Sequence, residues 1–238
     1  MNYFAHAVAF LESEGPCFVG GTAVPDWLTV ADRQVRLRAR HLRPALDGPE
    51  PAAAALAGGM LQHLVDDGRF HATRRFAETS LVLSAASREV LGGDPGLRPA
   101  FLGHLLVEVL LDAALIAEEP GRLDRYYRVL DGVDAAWVQG AVNRLAPRPC
   151  ARLAMMICGF RRARILWDYL EDGKLLVRLN QVMRRVGLDP LPERFRDVLP
   201  GARDLVARRK GDLLEGIPVR DHPLTRNPCE ERESCVSE

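Results

Sequence analysis

The sequence predicts an all-α fold, and three observations carry that expectation. Apolar residues recur at three and four through almost every long stretch, no segment keeps period-two alternation over a strand's length, and the breaks fall at glycine and proline clusters. The connections are short, which suits antiparallel neighbours in a single compact multi-helix bundle spanning residues 1–216.

Taken in order, "MNYFAHAVAFL" reads as an amphipathic helix that carries His6, closed by "EGP" at 14–16. A histidine alone on such a face is the usual satisfied core residue. In "FVGGTAVPDWL", 18–28, Asp26 follows a glycine-containing turn and Pro25, so the expected role is a helix N-cap. Residues 33–43 hold Arg33, Arg36, Arg38, Arg40 and Arg43 beside His41; such a run is the ordinary solvated face, although guanidinium groups also suit phosphate. The same two readings apply to Arg74 with Arg75 and to Arg161, Arg162 and Arg164.

After "DGPEP" at 47–51, helical spacing returns in "LAGGMLQHLV" and, past "HLVDDGRFH", in "RRFAETSLVLSAASREVL". "GGDPG" at 92–96 separates these from "AFLGHLLVEVLLDAALIA", residues 100–117. "AAWVQGAVNRLA", "LAMMICGFRRARILWDYL" and "LLVRLNQVMRRV" supply further helices, punctuated by "APRP" at 146–149 and "LDPLP" at 188–192. From residue 217, "IPVRDHPLTRNPCEERESCVSE" has few apolar residues, three prolines and a cluster of acids, the composition of a disordered tail. His222 belongs to it and is set aside.

The 238 residues are 47% hydrophobic and 27% charged, enough for a sizeable core. Lys+Arg and Asp+Glu both number 32, so charge gives no support to a nucleic-acid partner. Five cysteines with no CxxC pair argue against a disulfide framework, and no basic segment precedes the apolar start. Both features predict a cytoplasmic protein.

Two stretches can carry chemistry. Residues 100–117 are apolar all round apart from Gly103, His104, Glu108 and Asp112, which marks a helix in the middle of a core. Three ionisable groups on one stripe argue against a membrane span. Buried acids need compensation, and either a divalent cation or a His–Glu–Asp network partnered by arginines would provide it. In "HLVDDGRFH", His63, Asp67 and His71 repeat the i, i+4, i+8 pattern, although Gly68 predicts a bend or helix end that weakens His71. Six donors on two strips suffice for one metal, or for two about 3.5–4 Å apart, as in many phosphoesterases.

These residues resemble the bacterial acyl carrier protein phosphodiesterases (ACP hydrolases). "MNYFAH" is similar to that family's opening segment, "FVGGTAVPDWL" places Asp26 and Trp27 on its aspartate and aromatic, and "GMLQHLVDD" keeps Gly59, His63 and Asp67 in register with its G-x-x-x-H-R-x-I-D motif. "GHLLVEVLLD" stands where the family has a helix with paired acids. The chain departs from the pattern at Leu64 and Asp66, and it has His71 and His104 where the family has aspartates. The resemblance covers roughly the first 120 residues. It implies an HD-like helical fold, a divalent metal (Mn, Zn or Fe, one or two ions) and a phosphodiester substrate, either a small phosphoester or one linked to a carrier protein. It also raises His6 and Asp26 to candidate ligands with His63, Asp67, His104 and Glu108. His71 and Asp112 become further ligands or partners that orient them, and Asp67 or Asp112 the general base. The HxxxE helix is also similar to that of zinc-dependent phospholipase C. Two other readings stay open: a non-catalytic helical protein that keeps a structural metal or a polar core and binds a partner, and a lipid-directed phospholipase.

Overall fold

A computed structural model describes residues 1–92, 96, 98–215 and 217. The tail expected from 217 onward lies, apart from Ile217, outside the described residues, as does most of the "GGDPG" break. Every regular element among the described residues is helical, with eleven α-helices and no strand. A short N-terminal helix α1 (Tyr3–Ala7) leads through a 3-10 turn to α2 (Pro16–Ala31), α3 (Ala39–Leu46) and α4 (Pro51–Ala72). Then follow α5 (Arg74–Val90), α6 (Pro99–Glu118), α7 (Pro120–Asp131) and α8 (Ala135–Leu145). The last three are α9 (Leu153–Ala163), α10 (Asp172–Arg185) and α11 (Leu199–Leu214).

Local chemistry sets many of these boundaries. Five helices, α2, α4, α6, α7 and α11, begin with proline in the first turn, where its missing N–H costs nothing. Thr73 caps α5 by accepting from the Phe76 amide, and Asp134 caps α8 by accepting from Ala136 and Trp137. The stretch read as continuous from Leu153 to Leu170 instead breaks at Arg164, which adopts a left-handed conformation at φ 44°. Beyond it the Leu166 amide donates to the Tyr127 hydroxyl, and a 3-10 turn (Ile165–Leu170) replaces helix.

One continuous cluster of buried apolar residues runs from Met1 to Leu213. Helix α6 sits within it, burying Leu102, Leu106, Val107, Leu110, Leu111 and Ile116. It is long and apolar enough to cross a membrane, yet its apolar side chains are largely absorbed by this core. Two helix pairs approach so closely that only glycine fits. A Cβ on Gly59 of α4 would stand 2.0 Å from the Phe18 carbonyl of α2, and one on Gly21 would stand 2.4 Å from the Leu56 carbonyl. A Cβ on Gly103 of α6 would meet Ser84 of α5 at 2.1 Å. The first close approach brings the α2 backbone against His63.

Candidate metal centre

Helix α4 runs unbroken through Gly68, correcting the expected bend. A Cβ there would meet nothing within 4 Å, so the glycine marks open surface and not a break. His63, Asp67 and His71 therefore climb one face in successive turns. The face is nevertheless divided between two clusters.

The inner cluster is His6, His63 and Asp67, whose potential ligand atoms all lie within 4.8 Å of one another. His6 and His63 are 1% and 2% exposed, with their rings stacked 3.9 Å apart. The Thr22 carbonyl lies 2.7 Å from His63 Nδ1. A carbonyl only accepts, so Nδ1 carries the proton and Nε2 presents a lone pair toward Asp26 (4.0 Å) and Asp67 (3.7 Å). Burial, followed by the charge of His6, holds the His63 imidazole well below its ordinary pKa and so keeps it neutral.

His6 arrives from the opposite side on α1. Its Nδ1 lies 3.5 Å from Asp66 and its Nε2 lies 3.4 Å from Asp67. These are ion-pair distances without hydrogen-bond geometry: both ring nitrogens are buried with no hydrogen-bond partner. Burial opposes protonation of His6, but the two carboxylates outweigh it and raise the pKa to about 9. Asp26 adds a further orphan, its buried Oδ2 having no partner. Burial pushes the Asp26 carboxyl up to about 7, against the charge of His6. Asp26 is not the expected N-cap. It lies inside α2, one residue after Pro25, which is itself within the helix.

The outer cluster is His71, His104 and Glu108. It bridges α4 and α6: His71 Nε2 is 2.8 Å from Glu108, His104 Nε2 is 3.5 Å from the same oxygen, and the two rings stack at 4.8 Å. Burial alone would raise the Glu108 pKa, but His104 and His71 more than reverse this and hold it below the usual carboxylate range. Asp67 is likewise held low, with His6 and the Met1 ammonium overcoming its burial.

The α-ammonium of Met1 links the two clusters, 2.7 Å from Asp67 Oδ1 and 3.2 Å from Glu108 Oε1. The two carboxylate oxygens therefore stand within about 6 Å of each other, so the strips on α4 and α6 face one another, the range in which nearby charges couple strongly. Burial lowers the pKa of this ammonium, and the two carboxylates raise it further than burial lowers it.

Asp112 joins neither cluster. Its two oxygens accept from the Phe4 and Ala5 amides at 3.1 and 2.8 Å, which pins the start of α1 and so positions His6. Of the roles expected for Asp112, ligand, orienting partner or base, this geometry fits the orienting one, because its lone pairs face the backbone of α1. Burial pushes its pKa up to about 7, against those two amides. His41 accepts from the Arg38 amide at the start of α3, and the arginines from 33 to 43 alternate outward with buried Val35 and Leu37, as a solvated segment does. Arg161 donates to the Leu130, Asp131 and Val133 carbonyls at the C-terminal end of α7.

Sequence reasoning missed three contributors. Asp66, next to Asp67 and one residue round the helix, is buried, accepts from Gln62 at 2.7 Å and faces His6. The i, i+4 spacing of Gln62 and Asp66 was the available signal. The Met1 ammonium and the Thr22 carbonyl are main-chain groups with no signature in a side-chain pattern. Comparison with protein-family models, with curated proteins and with solved structures finds no match.

Proposed function

We propose that the chain is a metal-dependent phosphodiesterase or phosphohydrolase of HD-like helical architecture. One observation carries this: the buried His6 nitrogens and Asp26 Oδ2 have no hydrogen-bond partner, and they stand beside a neutral His63 whose lone pair is aimed at Asp67. Buried polar atoms without partners are costly; a cation would satisfy His6 Nε2 and a water Asp26 Oδ2, while His6 Nδ1 faces Asp66. Two imidazoles with carboxylates suit Zn, Mn or Fe. His6, His63 and Asp67 would hold the first ion, with Asp26 beside it, and His71, His104 and Glu108 a second. Divalent ions in such a centre supply Lewis acidity toward a phosphoryl oxygen and acidify water. Of the remaining groups, Asp112 orients His6 and Thr22 orients His63. Asp26 lines an adjoining cavity and keeps an oxygen available for a proton from the attacking water. The resemblance at Gly59, His63 and Asp67 to the ACP hydrolase motif supports a phosphodiester substrate, with phosphopantetheinyl-ACP among the candidates.

The test is turnover of bis-p-nitrophenyl phosphate and of holo-ACP by protein loaded with Mn or Zn. Hydrolysis that is abolished by chelation, and lost in Asp26→Asn with metal retained, is expected. No hydrolysis of either substrate by the loaded protein would overturn the proposal. Two contacts favour a second reading: the Met1 ammonium already neutralises Asp67 and Glu108, which fits a non-catalytic polar core that binds a partner. On that reading the protein takes up no metal and its melting temperature ignores chelators.

A further inference from the structure

A cavity of about 550 Å³ opens beside the two clusters, within the size range of small-molecule sites. Asp26 of α2, beside the inner cluster, and Glu108 of α6, a member of the outer one, form part of its wall. The rest is largely apolar, with Val30, Leu105, Val109, Phe160 and Ile165 among its lining. Met155, 68% exposed, also lines the cavity and extends its apolar wall outward.

Three arginines also line the cavity. Arg152 donates to the Ala31 carbonyl and Arg178 is paired with Asp168. Arg185 has no hydrogen bond or ion pair among the described residues, and its charge reaches the Tyr3 phenol. The cavity thus combines an apolar trough, an uncommitted guanidinium and an end that abuts the candidate metal centre.

Building on the proposed phosphoesterase, we infer that the cavity binds the apolar arm of its substrate, which is a single-chain phosphodiester amphiphile. The head group lies at the Asp26–Glu108 end and the alkyl chain runs along α9 past Phe160 toward Met155. Arg185 offsets the phosphate charge. A substrate without a chain would leave the trough wet and gain nothing from it.

Helix α9 offers a clean way to fill the trough. A Cβ on Gly159 meets nothing within 4 Å, and Ala163 lines the same wall one turn on. Butyl, hexyl and octyl phosphocholine, each below its micellar concentration, are titrated calorimetrically into the metal-loaded full chain. The affinity is expected to rise about three- to fourfold per added methylene. Gly159→Leu should flatten that slope, and Arg185→Glu should weaken all three ligands by a similar factor. Affinity independent of chain length in the wild type would overturn the inference. So would an unchanged slope in both Gly159→Leu and Ala163→Leu when each keeps its melting temperature. Bis-p-nitrophenyl phosphate hydrolysis by the same preparations separates the two ideas. Hydrolysis without a chain-length slope sinks only the cavity assignment, and a slope without hydrolysis sinks only the esterase.

Discussion

The inner and outer clusters use the same residue types and differ in what surrounds them. At the outer cluster His71 is 31% exposed and His104 44%, and His71 is already bonded to Glu108. Water and Glu108 can satisfy both rings without an ion. At the inner cluster His6 and His63 are sealed from solvent, and His6 has two orphaned nitrogens. The difference teaches that histidine–acid spacing alone does not identify a metal centre. Burial without partners separates the inner cluster from the outer, because only there is the unsatisfied state expensive.

The largest expected effect breaks this comparison directly. His63→Ala should weaken divalent-metal binding by roughly 100-fold or more, whereas His104→Ala should cost about tenfold, since a solvated ligand is more easily replaced by water. Equal losses in the two variants, read by calorimetry, would erase the distinction between the clusters.

Next comes the scaffold of the inner cluster. Gly59→Ala drives a methyl into the Phe18 carbonyl, so a loss of about 3 kcal/mol or more is expected, a fall in Tm of about 6–12 °C. Asp112→Ala strands the buried Phe4 and Ala5 amides and should cost about 2–3 kcal/mol. It should also weaken metal binding through the loosened His6. Full metal affinity in a folded Asp112→Ala would show that α1 needs no anchor.

Acidity gives a smaller, signed effect. His6 is raised from 6.5 to about 9, so the stability it contributes is fully present below 6.5 and is lost as pH climbs through 9. Asp26, raised from 3.8 to about 7, favours its neutral form in the fold, and that contribution is lost as pH rises through 7. Asp67 and Glu108 are depressed, so their contribution is present above their unfolded values of 3.8 and 4.5 and fails only in strong acid. Metal-free protein should therefore be most stable near about pH 4–5, with Tm falling as pH rises through 7 and further through 9. Metal binding must displace the His6 proton, so affinity should rise about tenfold per pH unit from 7 to 9. A flat Tm across that range would remove His6 from the charged network. The smallest effect is a gain: Gly68→Ala, in an open helical position, should stabilise by about 0.5–1 kcal/mol. A loss there would mean that α4 does bend.

Much of this is legible in the sequence. The helices and most of their breaks follow from apolar period and proline position, and the two strips on α4 and α6 follow from four-residue spacing. Gly68 misled because helix propensity is a local cost, and here the flanking apolar residues fix α4 regardless. Pro25 misled for the same reason: it removes the hydrogen bond to the Gly21 carbonyl, yet burial of Val24, Trp27 and Leu28 outweighs a penalty of roughly 3 kcal/mol. Asp112 shares a stripe with His104 and Glu108, but only the docking of α1 decides that its oxygens face two amides. The Met1 ammonium and Thr22 carbonyl lay beyond reach, since main-chain groups have no residue type to read.

The most direct test of the central claim is metal stoichiometry. Full-length protein is stripped with a chelator, re-equilibrated with Zn or Mn, desalted and subjected to elemental analysis alongside His63→Ala. The geometry of the inner cluster predicts at least one tightly held equivalent in the wild type, a Tm that rises with metal, and loss of that equivalent in the variant. A wild-type protein that retains no metal, with its Tm unchanged by metal or chelator, would contradict it.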